Sequence, residues 1–126
     1  MKTWLLALSG FTLIILLGLF SHHYLRQSSR QLCFEINRFD HKLVAQQWPA
    51  AEKQLTVLSE QWRRTAPFWA VLIHHQEIDN IETTLVSLHK AIFSHDYPSS
   101  QISSGELRHF LQHIPQREEF TLVNIL

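Results

Sequence analysis

A chain of 126 residues with 45% apolar content has room for one domain, because domains usually run to about 100–200 residues. Its 11 basic and 11 acidic residues cancel at neutral pH, and no block of like charge occurs, which argues against a protein that recruits nucleic acid by its field. The single cysteine, Cys33, excludes an intramolecular disulfide, and thiol usage does not identify the compartment.

No Asp, Glu, Lys or Arg lies between Lys2 and Arg26, and from Trp4 to Phe20 only Ser9, Gly10, Thr12 and Gly18 interrupt an apolar run. About 20 helical residues cross the hydrocarbon core of a bilayer at 1.5 Å each. Residues 4–25 therefore read as a transmembrane helix, and the lipid bilayer is the first expected partner. A secretory signal peptide is the rival reading, since Lys2 before an apolar core is how such peptides begin. Cleavage needs small residues in an Ala-x-Ala-like pattern, but Gly18 is followed by Leu19, Phe20, Ser21, His22, His23 and Tyr24. The helix is expected to stay attached as a signal anchor in the cell membrane. Two rules disagree on orientation. Arg26, Arg30, Arg38 and Lys42 against Lys2 favour a cytoplasmic domain, whereas a short head ending in Lys is typical of exported signal anchors. The expectation adopted is a single-pass protein with an extracytoplasmic domain.

Gly is scarce and no window alternates as a strand would, so the class is all-α. No Gly or Pro stands between Gly18 and Pro49, which predicts that the anchor runs on as one rod into the folded part. This divides the chain into an anchor, residues 1–25, and an antiparallel bundle of about four helices, residues 26–126. The first seam is Leu25, Leu32, Ile36, Phe39 and Leu43, at spacings of seven, four, three and four. Pro49 suits the first turn of a second helix, whose seam is Ala51, Leu55, Leu58 and Trp62. Pro67 reads as the restart of a third helix, running to about Ser94 on the axis Ile78, Ile81, Leu85, Leu88 and Ile92, with Trp69 and Val71 at its start. Residues 94–104, with Pro98 and five serines, read as a loop and hinge. Ser103 and Glu106 have capping-box spacing for a fourth, short helix with the face Leu107, Phe110, Leu111 and Ile114. Pro115 is expected to end or kink it. The tail Phe120, Leu122, Val123, Ile125 and Leu126 is apolar enough to dock rather than hang free.

The densest polar cluster is His74 to Glu82. His75, Asp79 and Glu82 fall at i, i+4 and i+7, one edge of a helix, the way a helix presents metal-ligand residue types. They lie on the flank of the Ile78–Ile81–Leu85 axis, so a surface pair supporting the helix is the blander alternative. His109 and His113 also have i, i+4 spacing, but they sit opposite Leu107 and Leu111 and should face solvent. His74 projects onto the apolar axis and reads as a core histidine, and Glu77 beside it as a group able to bond across to a neighbouring helix.

Trp48, Trp62, Phe68 and Trp69 gather around the turns flanking the second helix. They read as aromatic core or as a recognition surface, because tryptophan dominates binding hot spots. Arg63 and Arg64 beside them could meet lipid phosphates. No phosphate-binding loop, nucleophile elbow, zinc motif or calcium loop is present. Catalytic residues, a bound metal and a cofactor are accordingly not assigned. The expected function is a non-enzymatic interaction or accessory module that docks a membrane partner through Trp48, Trp62, Trp69, His75, Glu77, Asp79 and Glu82. The alternative is a metal-binding or sensing domain using His75, Asp79 and Glu82.

The N-terminal anchor, Trp48 with Ala51, Trp62, the run Trp69 to Glu82, and the ending His113–Ile114–Pro115 through Val123–Asn124–Ile125–Leu126 together resemble the bacterial family of domain of unknown function 4363 (DUF4363) over the whole chain. The resemblance carries over no activity, cofactor or catalytic residue. It implies a single-pass membrane protein accompanied by a small multi-pass membrane partner, mainly in Gram-positive bacteria. The doubled histidine His74–His75 departs from the family pattern, in which an acidic residue is more familiar at the first position.

Overall fold

The computed structural model describes residues 2–125, with side chains described through residue 117. Four helices follow one another: α1 (Thr3–Val44), α2 (Trp48–Leu72), α3 (His75–Phe93) and α4 (Tyr97–Ile125). No strand occurs among the described residues. Each helix lies beside its neighbours in sequence and α1 lies beside α4, while the diagonal pairs meet only across the shared core. The result is an antiparallel up-down-up-down bundle.

The expected α1 seam is the observed one. Leu25, Leu32, Ile36, Phe39 and Leu43 are all buried, together with Ser28 and Ser29 between them. The opposite is true of the apolar N-terminal half of the same helix, where Leu6, Ile14 and Phe20 are 71%, 69% and 68% exposed. With 42 residues α1 is about 63 Å long at 1.5 Å per residue, so the bundle covers only its second half. α1 ends where Gln47 N–H reaches the Lys42 carbonyl at 3.0 Å and Gln46 N–H reaches Leu43 at 2.9 Å, with Gln46 left-handed at φ 54°. This is a Schellman stop made without glycine. α3 stops the same way through His95 at φ 51°, Asp96 N–H bonding the Ala91 carbonyl at 2.9 Å. Both stops lie at the end of the bundle away from the apolar segment, where Trp48 stacks on His95 with ring centroids 4.7 Å apart.

Three expected boundaries are corrected. Pro67 does not restart a helix: it lies inside α2, which continues to Leu72. The Arg63 carbonyl that its missing N–H would have engaged belongs to an exposed residue, so water can satisfy it. The break falls instead at Ile73 and His74, both extended, and Trp69 and Val71 belong to α2. Of residues 94–104 only 94–96 form the turn, and the rest belong to α4. Asp96 caps α4 by accepting the Ser99 N–H at 3.1 Å and the Ser99 hydroxyl at 2.8 Å, and those bonds hold its carboxyl below the usual range. Pro98 then stands in the first turn, where no bond is lost. Ser100, Ser103 and Ser104 are buried, so the serine run is a packing face and Ser103 with Glu106 forms no cap.

Pro115 does not end α4, which runs through it. Its missing N–H would have bonded the Leu111 carbonyl, four residues back. That carbonyl accepts the Ser29 hydroxyl of α1 instead. Leu107, Leu111 and Ile114 are buried as expected, while Phe110 packs only against the edge of the core. The expected docking of the tail Phe120–Leu126 lies outside the described side chains.

Candidate functional site

α1 carries the plainest functional signal. It is long and apolar enough to cross a membrane, and none of its most apolar stretch is buried in the bundle. A core helix of a soluble protein would be covered there, since monomeric soluble proteins rarely leave contiguous apolar patches of more than a few hundred Å² exposed.

The bundle separates the residues singled out from sequence. Trp62 and Trp69 are buried and meet edge-on with centroids 5.5 Å apart. The Trp69 indole N–H donates to Ser28 Oγ at 2.8 Å, and Ser28 in turn donates to the Tyr24 carbonyl at 2.7 Å. Trp48 sits half-buried at the far end, against His95. Phe68 is 60% exposed and leans on Tyr24. The four aromatics expected around two adjacent turns are therefore a buried pair, a distal stack and an exposed ring.

His74 corrects the expectation of a core histidine. It is exposed as the N-cap residue of α3, because the helix starts only at His75 and the helical projection does not extend back to it. Glu77 bonds across helices, Oε1 accepting from Arg117 Nη1 of α4 at 2.9 Å. His75, Asp79 and Glu82 are exposed along α3. No group of three His, Cys, Asp or Glu side chains among the described residues converges as a metal cage would. His109 and His113 face solvent with ring centroids 4.3 Å apart. Arg63 pairs with Glu60 at 2.9 Å on the α2 surface, and Arg64 is exposed beside it.

Three arrangements had no signal in the linear spacing. Asp40 of α1 accepts from Ser104 and Arg108 of α4. Gln54, buried in α2, joins Glu35 and Lys42 of α1. Ser59 of α2 meets His89 Nε2 of α3 at 2.8 Å, near enough to Glu52 for its charge to act on the ring. Serine, histidine and glutamate are the residue types of a hydrolytic triad. Ser59 is nevertheless in the middle of α2, where the surrounding backbone N–H groups are spent on helix bonds. No pair of free donors is left to stabilise an oxyanion, so the pair ties α2 to α3.

Partial burial lowers the His89 imidazole below its ordinary value, opposed by Glu52. The unfolded chain then takes up a proton at higher pH than the folded one. The stability is complete above the unfolded value, about 6.5, and declines as pH falls toward the depressed folded value. The urea midpoint of the bundle is expected to fall between pH 7.5 and pH 5. His89→Gln should shrink that fall, and an identical fall in the variant would remove His89 from the account.

Next to this pair runs an open groove between α2 and α3, lined by Trp62, Ala66, Pro67, Ala70, Ile78 and Val86, with His75 and Glu82 on its α3 rim. Trp62 Nε1 is buried at this junction without a hydrogen-bond partner. Such an orphaned donor costs about 1–3 kcal/mol.

No curated protein and no solved structure matches the chain. The family model described as Domain of unknown function (DUF4363) matches residues 19–125, which takes in the last apolar turns of α1 and the whole bundle. On that match the chain belongs to the DUF4363 family.

Proposed function

We propose that the chain is a single-pass membrane protein of the cell membrane, anchored by residues 4–25, whose bundle is a non-enzymatic docking module for a second membrane protein. The observation that carries this reading is the continuity of α1. The helix that is bare and apolar at Phe20 is core by Leu25, which is 3% exposed. Cleavage as a signal peptide would have to cut within that helix, beside residues that hold the bundle together.

The α2–α3 groove is the docking surface we favour. Ala66 and Ala70, one turn apart, admit close approach of another helix. The groove lies toward the membrane-proximal end of α2, so a partner held in the same bilayer can reach it. His75 and Glu82 supply a polar rim, with Asp79 exposed beside them on α3. The buried faces of Trp62 and Trp69 support the groove from within rather than forming the contact themselves.

Two measurements test the reading. The full chain is expected to resist a carbonate wash of native membranes, and its release would end the anchoring proposal. A photocrosslinker at Asp79 or Glu82 is expected to capture an integral membrane protein, with the yield falling at least severalfold when Ala66→Leu and Ala70→Leu fill the groove. Unchanged capture in the filled variant would remove the groove from the contact. We place the bundle outside the cytoplasm, and Phe93→Cys, 89% exposed in the native residue, is the position from which to test it. Cys33 is half-buried with its thiol pushed up by burial and would label slowly on either side. Labelling of the introduced cysteine by an impermeant maleimide only after lysis would reverse the orientation.

A further inference from the structure

We infer that the groove between α1 and α4 holds the headgroup of an anionic phospholipid from the bilayer that α1 crosses. The inference rests on the anchoring proposed above. The groove is lined by Arg26, Ser29, Arg30 and Cys33 of α1, and by Gln112, His113, Pro115 and Gln116 of α4. The α1 residues stand at i, i+3, i+4 and i+7, a single stripe.

Position along α1 comes first. Arg26 is the first charged residue after Lys2, one residue past the end of the anchor at Leu25, or about 1.5 Å along the helix, and Arg30 is about 7.5 Å past it. A guanidinium at that height stands in the headgroup layer rather than in hydrocarbon or free solvent.

Chemistry is the second consideration. Both arginines are exposed, and neither is paired with a carboxylate among the described residues. Arg63, Arg108 and Arg117 each have such a partner. Two guanidinium forks one turn apart, without a carboxylate partner among the described residues and with the Gln112 and Gln116 amides and the His113 ring opposite, present hydrogen-bond donors where a phosphodiester would lie.

An independent feature puts the same end of the bundle on the membrane. Phe68 and Val71, at the end of α2, are 60% and 85% exposed. Phe68 packs on Tyr24, so these apolar side chains reach the height at which the apolar run of α1 gives out. An apolar tip beside a basic groove is how a domain sits on an anionic interface.

The test uses the full chain in phosphatidylcholine nanodiscs carrying spin-labelled phosphatidylglycerol or spin-labelled phosphatidylcholine. Motional restriction of the label reports the lipid held by the protein. We expect phosphatidylglycerol to be preferred at least about fivefold, as one interfacial arginine alone would give. Arg26→Gln with Arg30→Gln should bring the preference close to parity, and Arg26→Lys with Arg30→Lys should retain most of it. Equal restriction of the two lipids by a carbonate-resistant wild-type chain would overturn the inference while leaving the anchor standing. Loss of the preference in millimolar inorganic phosphate, at matched ionic strength, would assign the groove to free phosphate and overturn the lipid. Release of the chain by carbonate would remove the anchoring on which both depend.

Discussion

Trp69→Ala is expected to remove a large part of the stability of the bundle. Trp69 is fully buried, and truncating a buried tryptophan costs about 3–5 kcal/mol through lost transfer energy and the cavity left behind. A domain of this size holds only about 5–15 kcal/mol in total. The urea midpoint of the full chain in mild detergent, followed by far-ultraviolet circular dichroism, should fall steeply. Ser28→Ala should cost less, about 1–3 kcal/mol, because it strands the Trp69 N–H without emptying the site. Val71→Ala, two residues along the same helix and 85% exposed, should stay within about 0.5 kcal/mol. Similar losses at Trp69 and Val71 would mean that α2 does not present the faces described.

Sequence periodicity placed Trp69 and Val71 together at the start of a third helix, and the reason it did so marks what was legible. The seams of α1 and α2 and the axis of α3 were readable because Leu, Ile and Phe recur there at spacings of three and four. Those positions proved buried almost without exception. The α2–α3 break was unreadable because it contains neither Gly nor Pro. It is made by two extended residues, Ile73 and His74, while the proline that looked like a breaker sits inside a helix. The start of α4 was hidden for the opposite reason. Serines suggest a loop, yet Ser100, Ser103 and Ser104 continue the three-and-four spacing of Leu107, Leu111 and Ile114 and are buried with them. Counting small polar residues as packing residues would have extended α4 back to Asp96, a residue type well suited to an N-cap.

The candidate surfaces were less legible than the core. His75, Asp79 and Glu82 could be placed on an exposed edge of α3 from spacing alone. That Trp62 forms part of a groove wall, or that Arg26 and Arg30 face α4 across another, depends on which helices become neighbours. Spacing within one helix gives the stripe a residue occupies and leaves open what packs beside that stripe. The same holds for Ser59 and His89, 30 residues apart in sequence and 2.8 Å apart in the bundle.

The pairing of Ser29 with Pro115 makes a prediction that separates cause from proximity. Pro115 withholds an N–H from the Leu111 carbonyl, and Ser29 supplies a hydroxyl to that buried carbonyl from α1. Ser29→Ala should therefore cost about 1–3 kcal/mol, as for any buried acceptor left unmade. Pro115→Ala restores a backbone donor within α4, so in that background Ser29→Ala should cost no more than about half as much. A coupling of about 1 kcal/mol between the two sites, measured by urea unfolding of the four chains of the cycle, is the expected result and lies within the range for groups sharing one partner. The loss in the single variant should also appear locally, as faster amide exchange at Gln112 to Ile114. Equal costs for Ser29→Ala in both backgrounds would show that the serine serves packing rather than the carbonyl. Because Ser29 and Pro115 also line the groove beside Arg26 and Arg30, the contact that closes the α1–α4 seam would set how widely that groove opens. Substituting Ser29 should then disturb lipid selectivity without removing a charge, whereas substituting the arginines should leave the seam intact.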